Sequence, residues 1–81
     1  MKRSRDEIIT QILEVCSKGA TKTKIVYQAN LNFKTVNPYI ELLAKNGMID
    51  IKDGQNKTYE ITDKGEELLE SFKAVQGALT S

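Results

Sequence analysis

Residues 21–47 read TKTKIVYQANLNFKTVNPYIELLAKNG, and the spacing of polar and apolar side chains within them decides the fold. Thr21 has the chemistry of a helix N-cap, and Ile25, Val26 and Ala29 after it supply a short apolar face, which predicts a helix over 22–29. So short a helix is not stable alone and must pack on neighbours. Asn30-Leu31-Asn32 then reads as a tight turn, with Asn30 suited to left-handed backbone geometry. Asn32 caps the next helix, and Leu31 and Val36 stand at the two positions of a hydrophobic staple around that cap. Phe33, Val36, Tyr39, Ile40 and Leu43 form one stripe, while Lys34, Asn37, Pro38, Glu41 and Lys45 lie on the opposite arc, and Gly47 closes the element. Pro38 breaks the local rule, because proline removes a donor and disfavours helix at the residue before it. Either the helix is kinked near 34–38 or it starts at Asn37 with Pro38 in first position; the reading adopted is a kinked helix over 33–46.

Upstream, Ser4 and Glu7 make a capping box. Ile8, Ile9, Ile12, Leu13, Val15 and Cys16 fall on one side at helical spacing, and Asp6, Thr10 and Glu14 on the other, so a first helix is expected over 5–17, ended by Gly19 with Lys18 in its last turn. Downstream, Ile49 and Ile51 alternate with Met48, Asp50 and Lys52, and Tyr59 and Ile61 with Thr58 and Glu60. Asp53-Gly54-Gln55-Asn56 between them has turn chemistry, so residues 48–61 read as a β-hairpin. Thr62 caps a last helix over 63–76 with Leu68, Leu69, Phe72, Val75 and Leu79 as its apolar stripe. Gly77 weakens its end, and residues 77–81 are expected to fray.

The order is helix, helix, helix, strand, strand, helix: a mainly α, α+β domain with the layout of a winged helix-turn-helix. At 81 residues there is room for one domain, here 1–76. The second helix of such a pair presents its polar side to the major groove of double-stranded DNA, which is wide enough to admit a helix, and the hairpin tip reaches the neighbouring backbone or minor groove. In that arrangement Asn37 suits an adenine edge and Lys34 a guanine edge or a phosphate. Thr35 and Asn32 near the helix start suit phosphate oxygens. Lys52, Gln55, Asn56 and Lys57 at the hairpin suit phosphates, as they equally suit any solvated turn. Lys2, Arg3 and Arg5 form a basic leader that either follows the DNA backbone or only keeps the terminus soluble. Lys22 and Lys24 stand where positive charge opposes the helix dipole, which an outside anion would account for. Glu41 works against phosphate. Tyr27, Tyr39 and Tyr59 are candidates for stacking on bases, but their spacing fits core and interface packing better. Leu68, Leu69, Phe72 and Val75 are first a packing face and second a candidate homodimer contact.

Composition excludes several classes. There is no histidine and one cysteine, Cys16, so neither an internal disulfide nor a common zinc site can form within one chain. The commonest acid–base group of enzymes is missing, as are a glycine-rich phosphate loop and a serine elbow, and no catalytic residue, cofactor or small-molecule ligand is expected. No run of apolar residues is long enough to span a membrane, and a cytoplasmic protein is expected. Cys16, in the first helix's apolar stripe, reads as a small core residue. The net charge is only +1, but residues 1–62 hold ten Lys and Arg against seven acids, and residues 63–81 two Lys against four acids. Any nucleic-acid face therefore belongs to the first part, with the acidic tail turned away.

Ile8-Ile9-Thr10-Gln11-Ile12-Leu13-Glu14, the run Thr21 to Leu31, Tyr39-Ile40-Glu41-Leu42-Leu43 and the closing Tyr59 to Leu69 together resemble the archaeal winged helix-turn-helix proteins that include small chromatin-associated DNA binders with a C-terminal coiled-coil dimer helix. The likeness covers about residues 5–73. It implies a DNA binder, usually dimeric, with no cofactor. This chain departs in two respects. Its last helix, expected to stop soon after Val75, is too short for a long antiparallel coiled coil, so a dimer would be a shorter contact. It is also less basic than a protein that coats chromatin, which points to a local regulator. The alternatives are a winged helix used as a protein-interaction module, which the near-neutral charge and Glu41 favour, and RNA binding.

Overall fold

The computed structural model describes residues 4–80, with side-chain surroundings through residue 75. Its elements are α1 (Arg5–Cys16), α2 (Lys22–Gln28), α3 (Phe33–Lys45), β1 (Ile49–Lys52), β2 (Thr58–Ile61) and α4 (Asp63–Thr80). This is the expected order. The first three helices each stop one residue short of the expected end, because Ser17, Ala29 and Asn46 serve as C-caps.

The helix starts follow from side-chain oxygens that satisfy otherwise orphaned backbone donors. Ser4 Oγ accepts from the Glu7 N–H at 3.1 Å, Thr21 Oγ1 from Lys24 at 3.2 Å, and Asn32 Oδ1 from Thr35 at 2.8 Å. The ends of α2 and α3 share one solution. Leu31 N–H donates to the Val26 carbonyl and Asn30 N–H to Tyr27; seventeen residues on, Met48 N–H donates to Leu43 and Gly47 N–H to Ala44. Both closures need a left-handed residue, which Asn30 supplies at φ 54° and Gly47 at φ 73°. Asn30 thus has the geometry its position in the turn called for.

Helix α3 is continuous from Phe33, with Pro38 inside it. The start at Asn37 is therefore not used, because the Asn32 cap begins the helix a turn earlier. The donor that Pro38 lacks would have served the Lys34 carbonyl; both residues are exposed, so water can take that acceptor.

The strands pair antiparallel, Ile49 with Ile61 and Lys52 with Thr58. A bridge from Ala20 to Tyr59 extends them: Ala20 N–H donates to the Tyr59 carbonyl at 2.9 Å and Tyr59 N–H to Ala20 at 2.7 Å. This fixes the free side of β2 to the residues just before α2. The core consists of Ile9, Ile12, Leu13, Cys16, Ala20, Ile25, Val36, Ile40, Leu43, Ile49, Tyr59, Ile61 and Leu69. Burial pushes the Cys16 thiol up to about 11, since a thiolate has nothing there to replace its water.

Four expectations need correction. Phe33 is 48% exposed; at the first position of α3 it lies beyond the reach of the stripe it nominally begins. Thr10 is buried rather than solvated, and its hydroxyl donates to the Asp6 carbonyl at 2.7 Å; α4 packs along α1, and the face of α1 that reads as outer is partly covered. Ile51 is exposed although Ile49 is buried, because β1 is the outer strand at that level: its partner Tyr59 on β2 is the residue that bridges to Ala20. Helical backbone continues through Gly77 to Thr80, four residues past the expected end; glycine costs a helix about 1 kcal/mol relative to alanine, which need not end it. The side chain of Leu79 and residue 81 lie outside the described residues.

One corner holds α3, β1 and α4 together. Thr62 Oγ1 donates to the Gly47 carbonyl at 2.6 Å and accepts from the Gly65 N–H at 3.0 Å, and Thr62 N–H donates to Met48 at 3.0 Å. Gly65 is buried there, and a methyl group on it would overlap the Met48 carbonyl oxygen and the Ile61 side chain. Helix α4 thus starts from a cap bonded to the end of α3.

Candidate nucleic-acid interface

Helices α2 and α3, joined by Ala29 to Asn32, form the helix-turn-helix. Ile25 of α2 and Val36, Ile40 and Leu43 of α3 are buried, and this sets the orientation of the rest. With those residues inward, Lys34, Asn37, Pro38, Glu41 and Lys45 are exposed along the outer side of α3. Lys34 and Asn37 have no side-chain hydrogen bond or ion pair among the described residues. Lys24 is exposed and Lys22 half-buried at the start of α2.

The proposed contacts are not equally free. Asn32 is exposed, but its carbonyl oxygen is occupied as the cap of α3, so only its amide NH2 remains to donate outward. Thr35 is half-buried, and its backbone N–H is the one that meets Asn32. Arg5, first residue of α1, lines an open groove with Pro38, Tyr39 and Leu42, which brings the leader's last cation beside the middle of α3. Arg3 and Lys2 lie outside the described residues.

On the hairpin, Lys52 pairs with Glu60 at 3.2 Å, both partly exposed, which places this cation on the strand rather than at the tip. Gln55, Asn56 and Lys57 are exposed in the connection, and Lys57 makes no ion pair among the described residues. Lys73 of α4 reaches back to Glu14 of α1 at 3.5 Å.

Charge is divided between two regions of the fold. From residue 18 to 61 there are seven Lys against four acids, and these residues include α2, α3 and the whole hairpin. Asp63, Glu66, Glu67 and Glu70 are exposed on α4, and Glu7 and Glu14 on α1.

Of the residues expected to form a dimer, Leu69 is buried in this chain's own core, Leu68 and Phe72 are half-buried against it, and Val75 is 58% exposed. Two aromatics that the sequence places in packing faces are exposed instead. Tyr27 near the end of α2 is 79% exposed and Phe33 opens α3. Position was the available signal: both flank the turn, where helical periodicity says least about burial.

Known proteins are similar to this chain in sequence and in fold. An uncharacterised protein of Methanocaldococcus jannaschii, MJ0290, is 45% identical over 76 residues, which are 93% of this chain and 35% of that protein. A second from the same organism, MJ0287, is 39% identical over 72 residues, or 88% of this chain and 71% of that one. The chain thus spans about a third of the first and most of the second. Among solved structures, Sso10a-2, a DNA-binding protein from Sulfolobus solfataricus, superposes with a TM-score of 0.82 at 33% identity, covering 95% of this chain and 85% of that one. A MarR family transcriptional regulator from Streptomyces coelicolor, Sco5413, gives 0.76 at 21% identity, covering 93% and 54%, which shows shared fold. The resemblance to archaeal proteins therefore holds. The winged helix-turn-helix family matches residues 2–79, nearly the whole length, and this chain belongs to that family.

Proposed function

We propose that this chain binds double-stranded DNA, with α3 in the major groove and the β1–β2 hairpin as a wing on the backbone, as a transcriptional regulator or chromosomal architectural protein in the cytoplasm. The observation that carries this reading is the outer side of α3. Lys34 and Asn37 stand exposed there without partners among the described residues, on a helix whose inner side is committed to the core. A major groove supplies what they lack, phosphates for the lysine and base edges for the amide. The acids gathered on α1 and α4 favour one orientation, with α2, α3 and the wing toward the phosphates. Sso10a-2, named a DNA-binding protein, supports the same reading. In this reading Arg3, Arg5, Lys22, Lys24, Asn32, Thr35, Gln55, Asn56 and Lys57 position the domain, and Lys52 adds charge beside Glu60.

The chain also pairs with a second copy through the end of α4. Val75 is largely exposed, Phe72 is half-buried, and the helix continues past both to Thr80. Leu69 serves the monomer's core.

The test is fluorescence anisotropy of a labelled mixed-sequence duplex at low and near-physiological salt. Binding that weakens steeply with salt is expected, as for any protein that displaces counterions from phosphates. Folded protein that binds no duplex at low salt would move the assignment to a protein-interaction module. Sedimentation of the same sample is expected to show a dimer, and Val75→Glu a folded monomer. Wild-type protein that stays monomeric at high concentration removes the α4 contact.

A further inference from the structure

We infer that Phe33 is a specificity-determining residue that reads the C5-methyl group of thymine in the major groove. This rests on the DNA-binding reading above and assigns a base preference within it. Phe33 is the first residue of α3, 48% exposed, and belongs neither to the core nor to the half-buried residues that rest on it. Its neighbour Asn32 provides the cap, so the ring has no part in starting the helix. A large apolar side chain is thus held outward at the one end of α3 that a helix-turn-helix presents to base edges. Lys34, exposed beside it, is placed to meet a phosphate or a guanine.

The chemistry then selects the partner. Major-groove edges offer hydrogen-bond donors and acceptors, to which a phenyl ring contributes nothing, and one apolar group, the methyl of thymine. Docking the ring on a donor or acceptor would strip water from a polar atom without replacing it. Docking on the methyl removes apolar surface from water on both sides. Alanine at this position would not reach, and a polar residue would not gain.

The experiment compares a short duplex of alternating A·T pairs with the same duplex carrying deoxyuridine for every thymidine. Deoxyuridine keeps the base pair and removes only the methyl. Wild-type protein is expected to bind the thymidine duplex about fourfold more tightly per methyl contacted, the usual effect of one buried carbon. Phe33→Ala is expected to bind the two duplexes equally, with unchanged circular dichroism. Phe33→Leu, which retains an apolar tip, is expected to keep part of the preference, and it carries the comparison should the alanine variant misfold. Equal binding of both duplexes by wild-type protein overturns the inference and leaves DNA binding standing, as does a preference that survives intact in Phe33→Ala. Failure to bind any duplex, the mixed-sequence one included, at low salt overturns both.

Discussion

At the corner where α3, β1 and α4 meet, Thr62 bonds in two directions and Gly65 has no room for a methyl. On the outer side of α3 and around its turn, Lys34, Asn37, Phe33 and Tyr27 stand in solvent. The corner satisfies itself, and the face does not. An internally satisfied region determines how elements are placed and is indifferent to what the protein meets. A face with exposed charge and exposed rings adds little to folding and leaves its side chains open to a partner. Substitutions at the corner should therefore change stability and spare binding by the folded molecules, while substitutions on the face should do the reverse.

The largest expected effect is at the corner. Gly65→Ala puts a methyl into the Met48 carbonyl oxygen. Backbone cannot rotate aside as a side chain can, so α4 must shift away from Met48 and Ile61. A loss of about 3 kcal/mol is expected, the upper part of the usual range for overpacking. In a domain of this size that lowers the thermal midpoint by roughly 12–24 °C. Thermal melts followed by circular dichroism measure it, and duplex affinity well below the midpoint should match wild type. A normal melt would mean that the corner relaxes and does not fix α4.

A second test concerns the interior without touching its packing. Cys16 is buried and its thiol is raised from 9.0 to about 11. In the unfolded chain the thiol ionises near its ordinary value, so between these limits the unfolded state binds fewer protons than the folded one. Stability from this group is therefore complete below about pH 9 and declines as pH rises toward 11. The loss at pH 11 is about 2 kcal/mol by the usual linkage relation. Denaturant titrations at pH 8 and pH 10.5 should show the decline, and Cys16→Ala, which has no thiol to ionise, should show a smaller one. An identical decline in both proteins would remove Cys16 as its source.

Much of this division can be read in the sequence, and what cannot has physical causes. Caps are local: Ser4, Thr21 and Asn32 each act within three residues, so the helix starts were legible. So were Asn30 and the buried side of α3, since periodicity reports which residues share a face. What covers a face is not local. Thr10 reads as solvated because its neighbour α4 begins more than fifty residues later. Gly65 looks like an ordinary helical glycine until the Met48 backbone is set against it, and the Ala20–Tyr59 bridge joins residues with no pattern in common. Phe33 fits the stripe by angle and falls outside it by height, since a helical wheel omits position along the axis. At the candidate site residue type was legible and availability was not: Asn32 spends its oxygen on a cap, and Lys52 leans on Glu60.

The smallest effect is the one that tests the face itself. Lys34 and Lys57 are exposed, lie on α3 and on the hairpin connection proposed to meet DNA, and form no ion pair among the described residues. Replacing both with alanine removes no packing, so the melting midpoint should stay within about 4 °C of wild type, in line with the roughly 0.5 kcal/mol typical of surface changes. Duplex binding at near-physiological salt should weaken about tenfold, and the slope of log affinity against log salt should fall by up to about 2, close to one released counterion per lost phosphate contact. The slope is the more discriminating readout. A side chain that only hydrogen-bonds a base would lower affinity and leave the slope alone, whereas a phosphate contact must change both. Lys52→Ala provides the contrast on the same hairpin. Its charge is already opposed by Glu60, so it should move the slope less than Lys57→Ala does. Equal slopes for the two single variants would mean that the ion pair opens on DNA, and that the wing is as unsatisfied as the outer side of α3.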